Sequence, residues 1–218
     1  MSETLQEYQK RMSYENRVRT QALAILQRAK RAGIPDENMR ICKDEFKKLL
    51  SPEFHKDVEG FSEKVYENAD RLFDFKYITI DGGSIRVRRK AGFALLFRLI
   101  ACDKIGHYIS FNSLAHNLEN AHERNDYIKQ LKTYDVLYLS EFKEEGAKTQ
   151  WLGFDAGGFY DELFEHREDS HKPTIISFIN PINANNSLKT NDFGYYLADL
   201  SKETESKKNH VLRIKVRG

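Results

Sequence analysis

Cysteine is nearly absent from this chain: two residues in 218, Cys42 and Cys102, isolated from one another and outside any Cys-x-x-Cys pair. The seven histidines are scattered. These scarcities argue against a disulfide framework and against a zinc site, and they place the protein in a reducing cytoplasm. No apolar run approaches the roughly 20 residues of a membrane span. The start, MSETLQEYQKRM, has no apolar signal core, so nothing points to export or to a membrane partner. Internal repeats and low-complexity tracts are also missing. Charge of one sign does not dominate: 35 Lys and Arg face 33 Asp and Glu, a net of +2. Contact with nucleic acid must therefore come from local patches rather than overall charge.

What is present is a soluble, globular composition, 40% hydrophobic and 31% charged. The length fits one ordinary domain plus an extension. Residues 3–32 read as one helix, with Leu5, Tyr8, Met12, Val18, Ala22, Ile25 and Leu26 at three- and four-residue steps. Lys10, Arg11, Arg17 and Arg19 lead a basic face. Gly33 and then Ile34-Pro35 end the helix as a C-terminal Gly and a following Pro should. This divides the chain into a basic helical arm, residues 1–45, and a main domain, residues 46–218. The arm reads either as a solvated helix docked on the domain or as a grip on a partner protein or nucleic acid.

In the main domain, an amphipathic helix is expected over 52–73, followed by a strand at 77–80 and a helix at 91–101. A strand at 107–111 and a helix over 112–130 come next. The nearly continuous apolar run at 135–141 is of the kind buried in parallel sheets. A polar loop at 143–150, a helix near 155–168 and a strand at 173–178 follow. Loop and a short helix are expected over 181–205, and a half-exposed strand over 211–217. Strands alternating with helices imply crossovers and a mostly parallel α/β sheet covered on both faces.

Between the strand at 77 and the helix at 91 the chain has the layout of a phosphate-binding P-loop without its residues. Asp81-Gly82-Gly83 follows the strand, and Ser84 precedes a basic stretch, Arg86, Arg88, Arg89 and Lys90. A working loop, Gly-x-x-x-x-Gly-Lys-Ser/Thr, wraps phosphates with backbone N–H groups, reaches them with Lys and holds Mg²⁺ with the hydroxyl. With Lys90 in the lysine position, Ser84 and Arg89 replace the glycines and Ala91 replaces the hydroxyl. Four cations within five residues at a helix start still favour an anion, either a nucleic-acid backbone or a weakly held nucleotide. The alternative is a solvated basic loop that pairs with acids of a neighbouring element. Arg213, Lys215 and Arg217 read as charges guarding an edge strand. Trp151, Phe154, Phe159 and Tyr160 read as core rather than base-stacking residues.

The order of these parts resembles the AAA+ domain of bacterial replicative-helicase loaders of the DnaC/DnaI type and their phage and IstB-like relatives, over roughly residues 24–218. Ala32-Gly33-Ile34-Pro35 matches the family's AGIP segment. Residues 134–141 look like its Walker B strand, and Phe164-Glu165-His166-Arg167 with Pro173-Thr174-Ile175-Ile176 looks like its sensor-1 region. The resemblance implies a P-loop α/β fold, a hexameric replicative helicase as partner and single-stranded DNA as ligand. The implied nucleotide site would comprise Gly82, Gly83, Ser84, Lys90 and Glu141. The departures fall on the ATPase parts. Ser140 stands at the Walker B Asp position, Ile179 at the sensor-1 Asn position, and the finger helix at 193–200 contains no Arg. Losing such a finger alone costs about 10³–10⁵ in rate. The expectation is a pseudo-ATPase with no catalytic residue, no metal and no bound ATP/Mg²⁺. Its arm would hold the helicase through Lys10, Arg11, Arg17 and Arg19, and Arg86, Arg88, Arg89 and Lys90 would contact nucleic acid. With nucleotide site and finger both degraded, a monomer or a partner-templated oligomer is expected.

Overall fold

The apolar runs around Ile78, Leu137 and Ile175 form the inner strands of a single sheet in the computed structural model, which describes residues 4–41, 43–50, 69–119, 121–142, 156–178 and 211–217. Its strands are β1 (Tyr77–Gly82), β2 (Gly106–Ser110), β3 (Val136–Phe142), β4 (Thr174–Phe178) and β5 (Val211–Val216). They lie in the order β2-β3-β4-β1-β5, and every pairing is parallel. Parallel neighbours need crossovers. Between β1 and β2 this is α3 (Ile85–Ala101); α4 (Phe111–Glu119) and α5 (Ala121–Thr133) join β2 to β3, and α6 (Ala156–Asp169) precedes β4. The α/β sheet flanked by helices is as expected.

Helix α3 lies in the core because it is apolar on nearly all sides. Leu95, Leu96, Leu99 and Ile100 are fully buried, each burial contributing about 1.5–3 kcal/mol. They join Ile78, Ile80, Tyr138 and Ile175 from the sheet, and Phe46 and Leu50 from α2 (Lys43–Leu49) and the residue after it. Ile34, Met39 and Ile41 enter the same core. The helix after β2, expected as one, is two.

The N-terminal helix α1 spans Leu5–Arg31. Thr4 and Glu7 form a capping box at its start, the Thr4 backbone N–H donating to Glu7 Oε2 at 2.9 Å. At its end Gly33 takes φ +84°, so the Gly33 N–H reaches Lys30 O and the Ile34 N–H reaches Ala29 O. This is the Schellman pairing, which stops the helix and turns Ile34 into the core. Ala29 is the only buried residue within α1. The helix expected over 52–73 lies outside the described residues as far as 68, and Ala69–Asp74 forms a 3₁₀ turn. The readings for 143–150 and 181–205 also lie outside them.

Candidate phosphate site at the β1–α3 turn

In this strand order the chain runs from β1 outward to β2 and returns through β3 and β4, and β5 then adds on the other side of β1. The crevice beyond the C-terminal strand ends at β1 and β4 is therefore the topological switch point, where open α/β sheets bind ligands. Gly82, Gly83, Glu141 and Ser177 come together there from β1, β3 and β4.

The turn differs from the expected basic loop. Helix α3 begins at Ile85, so only Gly83 and Ser84 separate it from β1, and Arg86 to Lys90 are helical. Ser84 is the N-cap, its Oγ accepting from the Val87 N–H at 3.4 Å. The sequence carried this signal: a Ser at the N-cap position and, three residues on, Val87, which packs against the core while Ile85 stays exposed. Two residues cannot encircle a phosphate chain. Both glycines answer another need. With φ of +79° and +53° they press against β5, and a Cβ on Gly82 would meet Val216 O at 2.8 Å, one on Gly83 Arg217 O at 2.1 Å.

The cations separate by the direction their helical positions face. Arg88 is only 4% exposed, and its Nη1 donates to Gly82 O at 2.8 Å and Gly83 O at 2.5 Å. Burial lowers its pKa, against the pull of Glu141, Tyr138 and Asp81. A nucleic-acid backbone cannot reach a side chain so enclosed, and this corrects the expectation for Arg88. Arg89 forms a 2.5 Å ion pair with Glu141. It thus does what the alternative reading held, pairing with the acid of a neighbouring element. Arg86 is exposed and Lys90 half-buried.

Glu141 reaches Arg89 because β3 is irregular at its end. The β3–β4 register breaks between Leu139 and Phe142, and Glu141 takes the left-handed φ of +61°, unusual for a residue with a side chain. Its N–H donates to Ser177 Oγ at 3.2 Å, and Ser177 Oγ also lies 3.3 Å from the Tyr138 hydroxyl. Ser140, at the Walker B Asp position, is fully buried and donates to the Tyr108 hydroxyl at 3.1 Å. Three participants were not anticipated: Ser177, Tyr138 and the buried Asp81. An acid closing an apolar strand beside four cations was the available signal for Asp81.

ATP with Mg²⁺ does not fit this arrangement. The turn is too short to wrap phosphates, and Arg88 occupies the carbonyl side of both glycines. The crevice also balances Arg88 and Arg89 against Asp81 and Glu141. Among the described residues no group of three or more His, Cys, Asp or Glu could hold a metal ion.

The arm cations also divide. At 100° per residue, Arg11 flanks the stripe of Leu5, Tyr8 and Met12 and Arg19 falls within it, whereas Lys10 and Arg17 lie on the opposite face. Arg11 stacks over Tyr8 and Arg17 over Tyr14, at 5.5 and 5.7 Å from the ring centres. Arg167 faces away from the crevice: it is buried at the other end of the sheet, donating to five acceptors. Arg217 Nε donates to Leu50 O at 2.7 Å. No described helix is long and apolar enough to cross a membrane.

Solved structures share this fold. A DNA replication initiation factor matches 78% of the chain and 48% of its own length, at 13% identity and a TM-score of 0.55. DnaI matches over 84% of the chain and 92% of its own length, at 12% identity and a TM-score of 0.56. The replication initiator DnaA, solved with AMPPCP and single-stranded DNA, matches over 76% and 50%, at 14% identity and a TM-score of 0.51. The chain thus spans about half the length of the two initiators. No protein-family model matches the sequence, and no curated protein matches it. At such identities the likeness establishes the fold alone, a parallel α/β sheet flanked by helices such as the sequence resemblance implied.

Proposed function

We propose that this protein is a cytoplasmic replication accessory factor of helicase-loader type, an AAA+-like module that binds a replicative helicase and modulates its loading on single-stranded DNA without turning over ATP. The observation that carries this reading is the closed nucleotide position. Arg88 bonds to the carbonyls of Gly82 and Gly83, and Arg89 pairs with Glu141, on a domain that otherwise keeps the fold. A retained fold with a neutralised phosphate position suits a binding protein better than a motor.

The arm supplies the contact with the helicase. Leu5 and Tyr8 are 73% and 46% exposed, and with Met12 they form an uncovered apolar stripe edged by Arg11 and interrupted by Arg19. Nucleic-acid contact at the domain falls to Arg86 and Lys90. Assembly follows the partner, since neither arginine of the crevice is available to bind a nucleotide between subunits.

Two measurements test this. The full chain should co-purify with a hexameric replicative helicase of its host, and Leu5→Asp with Met12→Asp should abolish the association. Failure to bind any host helicase with the arm intact would sink the partner assignment. A fluorescent ATP analogue should show no saturable binding at millimolar concentration. Mg²⁺-dependent turnover lost in Lys90→Ala would instead establish an active ATPase with an unusual loop.

A further inference from the structure

Opposite the apolar stripe, α1 carries a face whose composition is as distinctive. Gln6, Gln9, Lys10, Ser13, Arg17 and Thr20 recur at three- and four-residue steps, and all are exposed. No acid interrupts this face. The two acids of α1 lie elsewhere: Glu7 is engaged in capping Thr4, and Glu15 sits among the apolar stripe. Towards the domain the same face ends at Arg28, which pairs with Asp103. In a chain whose charges nearly balance, this face presents cations, amides and hydroxyls alone. Those groups bond phosphate oxygens and base edges.

Beside the face stands Tyr14, 60% exposed, with the Arg17 guanidinium over its ring. An exposed ring among phosphate-binding cations is the arrangement on which unpaired bases stack. A duplex keeps its bases stacked on one another and has no use for it. The helix rises about 40 Å at 1.5 Å per residue, long enough for an extended strand to run along it. A second copy of α1 would bring like charges together, because seven cations face two acids over Leu5–Arg31.

We infer that this acid-free face of α1 is a single-stranded nucleic-acid site: Lys10 and Arg17 bind backbone phosphates, Tyr14 stacks on a base, and Gln6 and Gln9 bond base edges. The assignment goes beyond the proposed function and does not depend on it. It makes α1 a two-faced element, with the apolar stripe for a protein and the opposite face for the strand.

The test is fluorescence anisotropy of a labelled oligothymidylate with the full chain. Lys10→Ala with Arg17→Ala should weaken binding and reduce the slope of log K against log salt by about 1.4, at about 0.7 per phosphate released. Tyr14→Ala should weaken it about tenfold, and Tyr14→Phe should retain affinity. Gln9→Lys should raise both affinity and slope, a gain that loss of folding cannot mimic. Helicase capture should be unchanged in all four, which separates this site from the apolar stripe. The inference is overturned if these variants bind like the parent while Arg86→Ala abolishes binding. Tighter binding of duplex than of single strand also overturns it. So does equal competition by polyglutamate, which would mark the face as a dock for an acidic protein surface.

Discussion

Replacing Arg167 should show that the arginine of the sensor-1-like segment holds the fold together and takes no part at the crevice. Arg167 is 1% exposed. Its Nε donates to Thr174 Oγ1 at 2.8 Å, Nη1 to Tyr134 O at 2.9 Å and Leu131 O at 3.3 Å, and Nη2 to Pro173 O at 2.8 Å and Asp135 O at 3.4 Å. One side chain therefore ties the ends of α5 and α6 to the starts of β3 and β4. Enclosing the charge has a cost, seen in a pKa pushed down by burial to about 10. Removing it has a larger one. In Arg167→Ala the carbonyls of Leu131, Tyr134 and Asp135 and the Thr174 hydroxyl lose this donor, and the Pro173 carbonyl keeps only the Leu137 N–H at 3.4 Å, at up to about 1–3 kcal/mol for each group left unpaired. A net loss of about 3–5 kcal/mol is expected, a large share of the roughly 5–15 kcal/mol that stabilises a domain. Arg167→Lys should recover only part of it, because one ammonium cannot replace the planar fork. Urea unfolding followed by circular dichroism measures these differences. Arg167→Met separates two causes, since an apolar side chain of similar length fills the space without bonding the carbonyls. A loss below about 1 kcal/mol in Arg167→Ala, or full stability in Arg167→Met, would refute the staple.

Three further outcomes follow from the same geometry. Gly92→Ala should destabilise by about 1–3 kcal/mol despite the better helix propensity of Ala, because its Cβ would lie 2.2 Å from Tyr138 Cζ; thermal melting of a double-mutant cycle with Tyr138→Val should show coupling between the two positions. Glu141→Gln frees Arg89 and should raise affinity for pyrophosphate in a salt-sensitive manner, measured by calorimetry, whereas Arg89→Ala should not. Burial lowers the pKa of His107, which stacks on Tyr134 at 4.5 Å, so the folded state binds its proton less readily than the unfolded chain. Its stabilising share is then fully present above pH 6.5 and is lost on acidification below it; denaturant midpoints across this range should fall more steeply for the parent than for His107→Phe.

Elements with strong periodicity or continuous apolar runs were legible from residues alone. The helix expected over 3–32 is α1, and the runs at 77–80, 135–141 and 173–178 are inner strands of the sheet. At the start of α3, Arg86, Arg88, Arg89 and Lys90 read as a polar loop, whereas they belong to a helix capped by Ser84, with Val87 against the core. The break between α4 and α5 left no mark in the apolar spacing. At the candidate site, proximity in sequence placed four cations together but could not say which way each faced. Helical phase decided that: Arg88 turns inward to the Gly carbonyls, Arg89 towards Glu141, and Arg86 to solvent.

By itself the sequence determined the alternation of strands and helices and the end of the first helix at Gly33. These are local properties, set by side-chain type and period. Only the tertiary structure decided that the glycines serve a close approach to β5 and that two of the four cations are neutralised within the chain. It also decided that Arg167 is a staple. Those outcomes depend on which distant backbone or carboxylate meets each side chain, and such meetings are set by strand order and helical phase once the chain has folded.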